Sequence, residues 1–226
     1  MPTKPFPWLS QGLAVLRKDL SIEFRTRYAY SALVMFAITT LVTVSFAVGG
    51  FMEDDIAAAL LWIILFFSAM AGLSRTFVQE EETGTVTALK MAAEPEPVFI
   101  GKYLFNVVLL LSLTVLIVPL YIVFLNLSIP LMSGFLATVF LGAMGLAGAS
   151  TILAAIVSKA GAKGSLMTVL AFPILLPLLF GAISATRTAL AGGSPGAINT
   201  DLLLLLFYNG VALVASLLLF EYVWNE

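Results

Sequence analysis

The chain contains no cysteine and no histidine. Without cysteine it has neither a disulfide framework nor a thiolate metal site. Without histidine it loses the commonest general base, and with both absent the usual ligands of zinc and haem iron are missing. Charge is scarce as well: 11% of the 226 residues are charged, against about 25% in an ordinary soluble domain. Eleven basic and 13 acidic residues give a net charge of -2, which offers no basic field to nucleic acid. What is abundant is apolar surface, 61% of the chain, gathered in uncharged runs of about 20 residues. That pattern belongs to a multi-spanning membrane protein.

Six runs, at residues 30–50, 56–73, 103–127, 135–157, 166–185 and 202–220, are each long enough to cross a hydrocarbon core of about 30 Å. Lipid satisfies no backbone hydrogen bonds, so such runs fold as helices, and they lack the alternation of barrel strands. The expected fold is an all-α integral membrane protein, a single transmembrane domain over residues 1–226. Lys4, Arg17, Lys18, Arg25, Arg27, Arg75, Lys90, Lys102, Lys159 and Lys163 fall on one side of the six spans, and Arg187 alone on the other. The positive-inside rule therefore places both termini in the cytoplasm, with acidic Glu53, Asp54 and Asp55 outside. The first 29 residues are too charged for a cleaved signal peptide.

Ahead of the first span, residues 8–27 read as an interfacial amphipathic helix. Leu9, Leu13, Leu16, Leu20 and Phe24 follow spacings of 4, 3, 4 and 4, which puts them on one face. Trp8 suits the headgroup region, and Arg17, Lys18 and Arg25, facing elsewhere, are expected to meet anionic membrane lipids. A soluble arm is the competing reading, but it would not need the apolar stripe.

The loop between the second and third spans is the most informative irregular segment. Glu80, Glu81 and Glu82 are expected to be solvated at the end of a long second helix, followed by Thr83 and a turn at Gly84. Thr85 reads as an N-cap, and Val86, Leu89 and Met91 as one face of a short helix, carrying Lys90 and stopped before Pro95. An ordinary polar connector is the alternative. In the fourth span Ala143, Ala147, Thr151 and Ala155 recur every four residues, a spacing that suits close helix packing better than a pore lining. Pro173 and Pro177 are expected to kink the fifth span, and residues 181–195 to dip into or lie along the outer surface. The turn at 161–165 misses the phosphate-loop pattern, so ATP is not bound there.

The six runs themselves contain no Asp, Glu, Lys or Arg. This disfavours a proton- or sodium-coupled carrier and an intramembrane hydrolase, both of which need ionisable groups at depth. Any work the protein does is expected to draw on another subunit.

The amphipathic helix, the six spans and the Glu80-Glu-Glu-Thr-Gly-Thr85 loop with its short helix resemble the permeases of type-2 ABC exporters. Within that superfamily, residues 73–89, and 159–180 with their basic Gly-rich turn running into Pro173-x-x-x-Pro177, resemble the haem exporter protein B (CcmB) family. One departure is Ala92-Ala-Glu-Pro-Glu-Pro97, where the family runs more apolar. The resemblance implies a non-catalytic homodimeric permease in the bacterial inner membrane, whose segment 80–92 couples to a separate CcmA-like ABC ATPase. It further implies a haem-handling CcmC-like membrane protein, a small CcmD-like subunit and a periplasmic CcmE-like haem chaperone as partners. ATP and haem would sit on those partners, with no cofactor or metal on this chain. Three other readings share many of these features: an ABC permease for a lipid, polysaccharide or drug, a secondary carrier, and a membrane scaffold. Co-purifying subunits, transport in ATP-free vesicles and tolerance of changes in residues 80–91 would separate them.

Overall fold

The computed structural model describes residues 7–49, 52–159 and 165–225, so Lys4, Gly50, Lys163 and most of the 161–165 turn lie outside the described residues. Every regular element described is helical. The first element among the described residues is α1 (Pro7–Thr26), which Arg27 alone separates from α2 (Tyr28–Val48). Arg27 holds a left-handed φ of 52°, and Glu23 Oε1 accepts the Tyr30 N–H at 2.8 Å, occupying one of the free donors at the start of α2.

The second span, α3 (Asp54–Leu73), starts with Asp54 and Asp55 in its first turn, where the helix dipole favours acidic side chains. Next come two short helices, α4 (Val78–Glu82) and α5 (Val86–Ala92), and then α6 (Pro95–Phe124), with Pro95 in its first turn. The remaining elements are α7 (Met132–Lys159), α8 (Ser165–Leu190) and α9 (Pro195–Asn225). Six of these helices, α2, α3, α6, α7, α8 and α9, are long and apolar enough to cross a membrane. The all-α membrane fold expected from the sequence is the fold observed.

Two boundaries differ in ways that matter. The helix of the third span begins at Pro95 and not at 103, so Lys102 lies inside it and not in a loop. The segment at 181–195 makes no separate surface element: α8 runs through both prolines to Leu190, and a turn with Gly192 at φ 66° leads straight into α9. Between the two prolines, Tyr208 on α9 donates its hydroxyl to the Ile174 carbonyl at 3.0 Å and ties this stretch of α8 to its neighbour.

The central helix is α7, the most buried of the six, packed against α9, α8, α6 and α3. Ala143, Ala147, Thr151 and Ala155 are all buried within it. Toward α3, Gly142 makes room for an indole: a Cβ there would stand 1.9 Å from Trp62, whose Nε1 donates to Thr186 Oγ1 on α8 at 2.9 Å. The peripheral helices α2 and α9 are mostly exposed and carry outward Phe46, Phe207, Val211 and Leu218. In a membrane, such faces meet lipid or other subunits.

Candidate functional site: a buried charge cluster behind the short helix

Four ionisable side chains from three elements meet where α1, α4 and α6 converge. Lys102 Nζ on α6 donates to Glu80 Oε1 on α4 at 2.8 Å and to the Thr76 carbonyl at 2.9 Å, and it stands 3.0 Å from Asp19 Oδ2 on α1. The Asp19 approach is off the hydrogen-bonding direction, so it is an ion-pair contact only. Lys18 completes the group, bonded to Glu80 Oε1 and lying 3.1 Å from Asp19 Oδ1. Two lysines and two carboxylates sum to zero, which lets Lys102, 2% exposed, and Glu80, 8% exposed, remain charged inside the protein.

Electrostatics follow from that pairing. Burial works against the Glu80 carboxylate, but Lys102 and Lys18 outweigh it and hold its pKa down at about 2. Burial likewise opposes the Lys18 ammonium, and Asp19 and Glu80 outweigh it, so the Lys18 pKa is raised.

The expectation of three solvated glutamates at the end of a long helix is therefore corrected. The α3 helix stops at Leu73, and Glu80 turns inward because two ammonium groups wait there. Only Glu81 and Glu82 are exposed; Glu82 Oε2 takes Arg75 Nη2 at 2.8 Å, and that guanidinium lies 4.6 Å from the centre of the Tyr28 ring. Lys18 is corrected too: it turns toward the cluster and is not left to lipid.

Docking of α1 against α6 rests on two glycines. A Cβ on Gly101 would stand 2.7 Å from the Gly12 carbonyl and from Val15, so only glycine lets the helices close enough for Asp19 to reach Lys102. The inward face of α1 is accordingly Gly12, Val15 and Asp19. Of the expected stripe, Leu16 and Leu20 are partly buried, whereas Trp8, Leu9, Leu13 and Phe24 face outward.

A thread of polar groups leads from the cluster toward the centre of the bundle. Thr76, whose carbonyl receives Lys102, places its hydroxyl 2.8 Å from Asn106 Oδ1; Asn106 Nδ2 donates to Thr151 Oγ1 at 2.8 Å; and Thr151 donates to the Ala147 carbonyl at 2.6 Å. Asn106 is fully buried. Thr151 thus serves α7 as a hydrogen-bonding contact to α6 and not only as a small packing residue.

Past Glu80 the chain turns sharply. Gly84 has φ 66°, which Cβ-bearing residues rarely adopt, and a Cβ there would have nothing within 4 Å. Thr85 occupies the N-cap of α5, but its hydroxyl makes no capping bond; it donates to Glu80 Oε2 at 2.8 Å, with Thr83 Oγ1 2.9 Å away. The α5 helix turns Val86, Leu89 and Lys90 inward, Leu89 against the core and Lys90 Nζ 5.6 Å from the Trp224 ring centre. Thr87, Ala88, Met91 and Ala92 face out, and Met91 is 80% exposed. Met91 therefore does not share the face of Val86 and Leu89; five residues of helix turn it about 140° away from Val86.

Asp19, Lys102, Thr76 and Asn106 escaped the sequence reading. The available signal was the spacing of Gly12, Val15 and Asp19, a second helical face on α1 that places a carboxylate among small residues.

Six membrane-capable helices around a buried core, with a charge-locked elbow presenting one short exposed helix, define a polytopic helical membrane protein. The family model described as CcmB protein matches residues 10–222, and the chain belongs to this family. It is similar to Heme exporter protein B of Rhodobacter capsulatus, with 29% identity over 180 residues covering 78% of this chain and 83% of the relative. The corresponding protein of Bradyrhizobium diazoefficiens is 26% identical over 182 residues, covering 79% and 82% of the two chains. That of Paracoccus denitrificans is 26% identical over 185 residues, covering 80% and 85%.

Proposed function

We propose that this chain is the membrane permease subunit of an ABC transporter in cytochrome c maturation, passing the motion of a separate ATPase to haem-handling partners. Family membership and the relatives' name, Heme exporter protein B, support the haem-export setting. The observation that carries the coupling role is the cluster of Lys18, Asp19, Glu80 and Lys102. It welds the elbow before α5 to α1 and α6, so a push on the exposed face of α5 moves membrane helices and is not absorbed by a loose loop. The thread through Thr76, Asn106 and Thr151 gives that push a route into α7.

In this reading two copies of the chain sit in the bacterial inner membrane, both termini in the cytoplasm, with a CcmA-like ATPase under each α5. CcmC-like and CcmD-like membrane subunits and a periplasmic CcmE-like chaperone complete the assembly. The chain is a transport subunit and not an enzyme; ATP is hydrolysed on the ATPase and haem is ligated by the partners. With neither His nor Cys, this chain has only weak ligands such as Met or Tyr to offer iron.

The test is affinity purification of the tagged chain in mild detergent, with mass spectrometry of bound proteins and a haem absorption spectrum. Recovery of an ABC ATPase with a haem-binding membrane subunit is the expected result, and Met91→Asp on the exposed face of α5 should lose the ATPase while keeping the membrane partner. An ATPase without haem partners would assign the permease to another cargo. Absence of any ATPase would overturn the reading.

A further inference from the structure

A cleft of about 410 Å³ opens between α1, the start of α2 and α6, beside the charge cluster and one helical turn beyond Asp19. Its walls include Leu20, Phe24 and Val108, and its floor reaches Ser112, whose hydroxyl is spent on the Leu109 carbonyl at 2.7 Å and so presents little polarity. Val108 and Ser112 lie six and ten residues beyond Lys102 on α6, which at 1.5 Å per residue carries the floor about 9 to 15 Å deeper into the membrane than the charged layer. Two charges of opposite sign line the same cleft, Glu23 and Arg27, at the junction of the interfacial helix with the first span. No ion pair within 4.0 Å joins them among the described residues. Glu23 accepts the Tyr30 N–H through Oε1, and a carboxylate can accept further bonds.

A hydrocarbon slot beneath one cation and one anion matches a zwitterionic phospholipid with a primary ammonium. We propose that the cleft is a specific site for a phosphatidylethanolamine-type lipid of the leaflet in which α1 lies. One acyl chain fills the slot down to Ser112, the phosphate meets the Arg27 guanidinium, and the ammonium donates to Glu23. A purely anionic lipid would set its charge against Glu23, and a trimethylated choline headgroup has no proton to donate to it. The exposed stripe of Leu9, Leu13 and Phe24 keeps α1 at the depth this geometry requires.

The experiment is native mass spectrometry of the full-length chain purified in mild detergent and titrated separately with dioleoyl phosphatidylethanolamine, phosphatidylcholine and phosphatidylglycerol. Retention of the ethanolamine lipid at least fivefold above the other two is expected. Two variants should abolish that preference: Glu23→Gln, which removes the negative charge while keeping an acceptor for the Tyr30 N–H, and Val108→Trp, which fills the slot from an exposed position, whereas Arg27→Asn should weaken retention of all three lipids through their shared phosphate. Equal retention of all three lipids, a preference for the glycerol lipid, or an unchanged preference in Val108→Trp would overturn the site. Its failure would leave the transporter assignment untouched, because that assignment rests on subunit recovery.

Discussion

Lys102 and Glu80 meet at 2.8 Å inside the protein, a lysine from the third membrane helix closing on a carboxylate from the elbow before α5. Their separate removal and their joint removal have different consequences. Lys102→Met leaves Asp19 and Glu80 with only Lys18 between them, a buried net negative charge, and is expected to cost about 3 kcal/mol or more. The double variant Glu80→Gln with Lys102→Met leaves the Lys18–Asp19 pair neutral, so it should be the more stable of the two. Thermal unfolding midpoints of the purified proteins check this ordering, and a double variant less stable than Lys102→Met would refute the pairing.

Acid should dissolve the cluster over a defined interval. Glu80 titrates at about 2 in the folded protein against an ordinary 4.5, so the unfolded chain binds its proton first as the pH falls. The stability that Glu80 contributes is whole above about pH 4.5 and is lost progressively toward pH 2. Lys18, raised above 10.5, contributes in the opposite sense: its share is whole below that value and is lost as the pH climbs through the folded pKa. Circular dichroism across an acid titration should show the gap between the wild type and Glu80→Gln shrinking between pH 4.5 and 2. A gap of constant size would mean that Glu80 is not ionised in the cluster.

The turn at Gly84 is expected to respond to backbone demand alone. A Cβ there meets nothing within 4 Å, so Gly84→Asn, which tolerates a positive φ, should be close to neutral. Proline is locked near -65° and cannot adopt 66°, so Gly84→Pro must re-aim α5. Under the proposed function, Gly84→Pro leaves the chain in the membrane and lowers the yield of mature cytochrome c at least tenfold, while Gly84→Asn keeps it within twofold. Haem staining of periplasmic cytochrome c against immunoblots of the tagged chain measures both quantities.

The membrane helices were legible in the sequence because each is a long stretch without charge, and lipid imposes helix on any such stretch. The short helix was legible at both ends, through Gly84 and Pro95, yet its orientation was not: Met91 reads as part of an apolar face beside Leu89 and in fact points outward. This changes which substitution reports on a partner. Leu89 packs against the core, so Leu89→Asp would damage the fold itself, whereas Met91→Asp alters only exposed surface. The charge cluster was hidden for a different reason. A lysine ahead of an apolar run and three successive glutamates each have an ordinary reading as solvated ends, and only folding across α1, α4 and α6 shows that one glutamate and one lysine neutralise each other. Gly12 and Gly101 carried no signal singly, since the need for glycine is set by the backbone of the facing helix, the Gly12 carbonyl for Gly101 and the Pro97 carbonyl for Gly12.

The distribution of the cluster along the chain also constrains the order in which the protein can be built. Asp19 belongs to α1, ahead of the six membrane helices, but the buried ammonium it faces, Lys102, belongs to the third of them. Until that helix leaves the ribosome, the slot that receives Asp19 does not exist. The Asp19 face of α1 is therefore expected to stay undocked while the first two spans are made, and arrival of the third closes the latch.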